Sequence, residues 1–181
     1  MKAVLSLLGL LAVAASPAAA PVESVSQAIA GGMAAEAAGK PKKMLEAARL
    51  LDAAGARAGP GEADLAAHWR ALAKARGVTD KNAPFRGRAL GPAYRRGRLD
   101  PGAALATDQV FLAGQKAMVS LVPEPGRTLS IRVAAPDKGI CELAARPPRA
   151  ICTWLPLFTA RVTIEIANKG PASANYYLVS N

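Results

Sequence analysis

The 181-residue chain carries 23 basic and 13 acidic residues, a formal net charge of +10, two cysteines and a single histidine. The cysteines stand far from the histidine, so no zinc-ligand spacing is written in the sequence, and no nucleophile has a neighbouring base. A length of this order allows one ordinary domain or two very small ones.

Residues 1–20 read as a signal peptide. Lys2 supplies the positive start, Ala3 to Ala15 the apolar run, and Ala18-Ala19-Ala20 the small-residue cleavage pattern ahead of Pro21. The run is shorter than the roughly 18–20 residues that span a bilayer. Cleavage after Ala20 is therefore expected to leave a periplasmic or secreted protein with no transmembrane segment. It removes one basic residue and no acidic one, so the chain stays strongly basic. Inside a cell such an excess points to nucleic acid. Outside the cytoplasm, the anionic partners are membrane surfaces, envelope polysaccharide or acidic proteins, and nucleic acid is set aside.

Residues 21–39 are rich in Ala, Ser and Gly. The Gly31-Gly32 pair costs a helix about 2 kcal/mol relative to Ala, so a frayed helix or a flexible tether is expected. Residues 40–78 predict a helical hairpin. Pro41 suits a first turn, Met44, Ala48 and Leu51 recur at helical spacing, and Gly55 is a stop. Leu65, Trp69, Leu72 and Ala73 form the second stripe, with Gly77 as terminator. Trp69 is expected to lock the two helices; an exposed Trp69 would be a candidate partner contact. His68 beside it reads as a surface histidine.

Residues 79–93 are a basic linker. From Lys81 to Arg98 there are basic residues and no acidic ones, and Arg86, Arg88, Arg95, Arg96 and Arg98 are the candidate anion-binding groups. Residues 94–181 then predict a β-sandwich of seven or eight short strands at intervals of about ten residues. The turns are Asp100-Pro101-Gly102, a hairpin-like break at Gly114-Gln115, Pro123-Glu124-Pro125-Gly126, Pro136-Asp137-Lys138-Gly139, Pro147-Pro148 and Asn168-Lys169-Gly170-Pro171. Leu129, Ile131 and Val133 alternate toward a core, as do Val162, Ile164 and Ile166 within a longest strand read from Phe158 to Ala167. Cys141 and Cys152 are expected to form a disulfide between adjacent strands.

The fold class is thus α+β, mainly β: an N-terminal helical hairpin followed by a small antiparallel β-sandwich of jelly-roll-like form. Gly97-Arg98-Leu99, Asp108-Gln109-Val110-Phe111-Leu112-Ala113-Gly114, Ala135-Pro136-Asp137-Lys138-Gly139, and Thr163-Ile164-Glu165-Ile166-Ala167-Asn168 with Tyr177-Leu178 resemble the strand-and-turn signatures of bacterial pre-peptidase C-terminal domains. The likeness covers roughly Tyr94 to Asn181. It departs from the pattern in that Asp100, Asp108 and Asp137 are scattered rather than grouped for calcium, and no peptidase accompanies it in the sequence. The resemblance implies a binding or accessory role without catalytic residues.

No G-x-S-x-G, P-loop, G-x-G-x-x-G or H-E-x-x-H motif occurs. Glu124 sits in a Pro-rich turn and Glu165 on an ordinary solvent face, so neither pairs with Glu142 as a glycosidase would need. The reading is an exported, non-catalytic binding or accessory protein, without cofactor or metal, whose β-sandwich contacts a protein or polysaccharide of the envelope. The alternative is a basic envelope-associated protein whose Arg-rich arm holds anionic surfaces. A hydrolase comes last.

Overall fold

The computed structural model describes residues 22–81 and 91–181; the signal peptide read over residues 1–20, and Arg86 and Arg88 of the basic linker, lie outside the described residues. The described helices are α1 (Val22–Ala37), α2 (Pro41–Ala53) and α3 (Leu65–Ala75). The strands are β1 (Arg57–Ala58), β2 (Ala93–Leu99), β3 (Ala104–Phe111), β4 (Ala117–Pro123), β5 (Leu129–Ala134), β6 (Gly139–Ala145), β7 (Ala150–Trp154), β8 (Ala160–Ala167) and β9 (Ala174–Ser180). One sheet has the order β1-β2-β9-β4-β7 and the other β3-β8-β5-β6. All pairings are antiparallel except β1 with β2.

The molecule has three layers, with the five-stranded sheet in the middle. Leu121, Val119, Tyr176 and Leu178 pack between the sheets with Ile131, Ile164 and Ile166. On the sheet's other face Tyr94, Met118, Val122, Tyr177 and Val179 pack with Val25, Ile29, Met44, Leu51 and Trp69 of the helices. Every residue of β4 is consequently buried, the mark of a strand covered on both faces.

The stretch read as a frayed helix or a tether at 21–39 holds α1, a packed helix rather than a flexible tether, whose Val22, Val25 and Ile29 are buried. Gly32 is there for a contact: a Cβ on it would overlap the ring of Trp69. Trp69 is fully buried, which removes it as a surface for partners. Its indole Nε1–H donates to Glu36 of α1 at 2.9 Å, so it locks α3 to α1. Helix ends follow the local chemistry. Asp64 caps α3 by accepting from the N–H groups of Ala66 and Ala67, and Gly55 and Gly77 adopt positive φ after α2 and α3. Arg49 and Arg70 both reach Asp80, and Arg70 also pairs with Asp52, tying the chain after α3 back to the helices.

The break at Gly114-Gln115 does not join a hairpin. β3 lies in the four-stranded sheet and β4 in the five-stranded one, so the loop crosses between layers. The same holds at Pro147-Pro148, where β6 and β7 belong to different sheets. The Cys141–Cys152 disulfide is formed, with Cα atoms 6.2 Å apart, and it clips the two sheets together at that edge rather than joining hydrogen-bonded neighbours. Replacing both cysteines by serine is expected to lower stability by about 2–3 kcal/mol, mainly by freeing the unfolded chain. Urea titration of the double variant against the oxidised parent checks this.

At the far end Asn168, itself buried, donates from Nδ2 to the carbonyls of Leu99 and Ala172 and accepts from the N–H of Gly170. This clamps the end of β8 to the β2–β3 turn. The three tyrosines share a titration bias. Burial pushes the Tyr94 phenol up to about 12, although its oxygen accepts from the N–H of Leu65 at 2.9 Å, and burial also raises Tyr176 and Tyr177. A folded-state value above the unfolded one means stability is intact below pH ~10 and is lost as pH rises through the folded value. The melting temperature should therefore fall steeply above pH ~10, and Tyr94→Phe should flatten that slope, as pH-resolved thermal melts would show.

Candidate functional site: a two-loop apolar tip and a polar cleft

β3 ends on Phe111 and β7 ends on Trp154, and these rings meet edge to face with centroids 4.7 Å apart. Two loops leave this aromatic base, residues 112–116 and 155–159. They are zipped together: the N–H of Gly114 donates to the Pro156 carbonyl at 2.9 Å, and the N–H of Ala113 donates to Thr159 Oγ1 at 3.1 Å. Gly114 has φ 70°, a conformation that glycine adopts without strain. Asn181 braces the first loop from behind, donating to the Lys116 carbonyl and accepting from the Met118 N–H.

This scaffold holds apolar side chains in water. Leu157 is 77% exposed and Phe158 80%, with Leu112 and Leu155 more than half exposed and Val110 close by on β3. Among the described residues the other exposed large apolar side chains, Leu50, Leu105 and Leu143, are spread over α2, β3 and β6, so the convergence at this end makes it the candidate interaction surface. Phe158, read from the sequence as the start of the longest strand, belongs to this loop, because β8 begins at Ala160. The available signal was three large apolar residues around Pro156 without the alternation of a half-buried strand.

A second concavity, of about 480 Å³, lies at the opposite end of the five-stranded sheet, where α1 and α3 meet it. Its walls carry Glu36, Glu62, His68, Arg96, Glu124 and Tyr177. Glu36 holds His68 Nε2 at 3.3 Å as well as the Trp69 indole. Glu124 accepts from Asn175 Nδ2 at 2.8 Å and lies 3.5 Å from Arg127. The Tyr177 phenol is raised by burial, Glu36 and Glu62 add to the rise, and Arg96 opposes it.

The remaining sequence candidates are dispersed. Strand alternation puts Arg96 and Arg98 on the helix-facing side of β2 and Arg95 on the other. Arg98 sits 3.8 Å from Asp100, and Arg95 packs beside Gly59. Glu142 and Glu165 flank Arg132 in cross-strand register on the outer sheet, a row of alternating charge. Among the described residues no His, Cys, Asp and Glu cluster could hold a metal ion, and no helix is long and apolar enough to cross a membrane.

No family model matches the chain, and no curated protein matches it. Among solved structures, part of the chain is similar to the pre-peptidase C-terminal domain of collagenase from Bacillus anthracis. The identity is 12% and the TM-score 0.41, over 49% of this chain and 87% of that one. It is also similar to PliG of Aeromonas hydrophila, a periplasmic inhibitor of g-type lysozyme, at 11% identity and TM-score 0.40, over 50% and 84% of the two chains. A CBM36 domain of a multidomain xylanase from the hindgut metagenome of Trinervitermes trinervoides gives 16% identity and TM-score 0.32, over 46% and 75%. At such identities and TM-scores these likenesses say nothing of ligand or partner, and the two-sheet sandwich rests on the strand pairing itself.

Proposed function

We propose that this chain is an exported, non-catalytic binding module that docks through its two-loop tip onto an apolar surface of an envelope protein. The observation that carries this reading is an ordered set of exposed apolar side chains, Leu112, Leu155, Leu157 and Phe158, fixed by inter-loop hydrogen bonds and an aromatic base. Export is supported by the sequence at residues 1–20 and by a cystine, which persists in oxidising compartments. A protein partner is favoured over polysaccharide by the aromatic inventory. Sugar faces stack on exposed rings, yet among the described residues only Phe158 is an exposed aromatic; Trp154 at the base of the tip is half-buried against Phe111, and Trp69, Tyr94, Tyr176 and Tyr177 are buried.

A second reading has its own observation. Lys116 lies within the tip loop of a chain of net charge +10, an arrangement suited to an anionic membrane surface. Salt separates the two. The tagged mature chain is incubated with native envelope at low and moderate salt, and separately with vesicles of anionic lipid. Retention of a specific protein at moderate salt, lost when Leu157 and Phe158 are replaced, supports the first reading. Vesicle binding that collapses with salt supports the second. Capture indifferent to the tip substitutions would refute docking at the tip.

A further inference from the structure

The tip leaves the cleft at the other end of the molecule without a role. Its charge runs against that of the chain. Glu36, Glu62 and Glu124 converge there in a protein with ten more basic than acidic residues, and the C-terminal turn of α1 adds its partial negative charge. Two of the carboxylates are engaged, Glu36 by His68 and Trp69, Glu124 by Asn175 and Arg127. Among the described residues Glu62 has no side-chain partner.

A second observation is independent of the carboxylates. The Tyr177 side chain is only 9% exposed and lines the cleft, and among the described residues its hydroxyl makes no hydrogen bond. That hydroxyl lies within electrostatic reach of Glu36, Glu62 and Arg96, all of which stand on the cleft walls. The ring is buried while the hydroxyl opens onto the cleft beside the carboxylates, free to accept from a donor bound there.

We propose that this cleft captures a primary ammonium group, with Glu62 as its counter-charge and the Tyr177 hydroxyl as an additional acceptor. An ammonium brings three donors and no acceptor, which suits a wall of carboxylate and phenol oxygens. The positive charge of the rest of the chain does not forbid this. Screening confines its repulsion to about 8–10 Å at physiological salt, so the local carboxylates decide. Arg96 is close enough to oppose the cation. It therefore gives the proposal a variant of opposite sign.

The group could arrive on a free diamine or on a lysine of a protein, and two probes distinguish these. Cadaverine and N-acetyl-lysine amide are titrated separately into the mature chain, following the Trp69 indole N–H resonance, which reports on Glu36. A saturable shift with cadaverine alone assigns a free diamine; with the lysine derivative alone it assigns a lysine side chain; with both it assigns the ammonium itself. Glu62→Gln should weaken binding at least about tenfold, as loss of a charge-assisted bond does, and Tyr177→Phe by roughly threefold. Arg96→Gln should tighten it. The absence of a saturable shift with either probe, or an unchanged affinity in Glu62→Gln, overturns the proposal. Neither result bears on docking at the tip.

Discussion

Trp69→Ala should lower the unfolding free energy by about 3–5 kcal/mol, the range for removing a fully buried Trp. The indole fills the space over Gly32 of α1, where no residue with a Cβ could stand, so α1 has no side chain with which to close the void. The Glu36 carboxylate would lose the indole N–H, but it is part exposed and can take water instead. Most of the loss is therefore packing. Against the ~5–15 kcal/mol that holds an ordinary domain together, this is a large fraction. Guanidinium titration with two signals checks it: far-UV circular dichroism for the helices and the fluorescence of the remaining Trp154. One cooperative transition at lower denaturant is the expected result. A midpoint like the parent's would show that Trp69 does not bind the layers together.

Replacing both Leu157 and Phe158 with serine should have the reverse profile. At 77% and 80% exposure these side chains contribute little to the folded state, so the melting temperature should stay within a degree or two or rise slightly. Fully burying one such side chain against a partner is worth about 1.5–3 kcal/mol, so losing both should weaken the complex by roughly a hundredfold or more. Biolayer interferometry on the partner recovered from the envelope measures this. Equal affinity of parent and variant would remove the tip from the interface. Gln109→Ala, at the far side of the braced loop, should leave affinity within about threefold, because its amide touches only the Asn181 carbonyl.

Much of the C-terminal half was legible because local chemistry dictates it. Asp100-Pro101-Gly102, Gly114-Gln115 and Pro123-Glu124-Pro125-Gly126 each contain a glycine at positive φ in the structure, and the alternating strands β5 and β8 bury Leu129, Ile131, Val133, Val162, Ile164 and Ile166 as expected. Strand partners were not legible. A short Gly-containing break serves equally for a hairpin and for a crossing between sheets, and only the global pairing selects one. α1 was legible only as a frayed helix or a tether, for a related reason. Helix propensity counts Gly31-Gly32 against a helix, but the indole of Trp69 needs the space at Gly32, and that contact joins residues far apart in sequence. One sign of the middle layer did stand in the sequence. Ala117-Met118-Val119-Ser120-Leu121-Val122 and Tyr176-Tyr177-Leu178-Val179 are near-continuous apolar runs, as a sheet covered on both sides requires. The cleft gave no such sign, because Arg96 and Tyr177 meet through the β2–β9 pairing and Glu62 joins them from the loop ahead of α3, contacts between residues far apart in sequence.

Because the helices roof the central sheet, the C-terminal half is not a portable unit. Cut at Tyr94 and expressed alone, it would turn Met118, Val122, Tyr177 and Val179 outward as one oily plane. β1, a two-residue strand lodged between α2 and α3, stitches the roof to the sheet's margin through its parallel pairing with β2. Shuffling this protein into new architectures would then mean moving the stretch from Val22 to Asn181 as a block, roof and walls together.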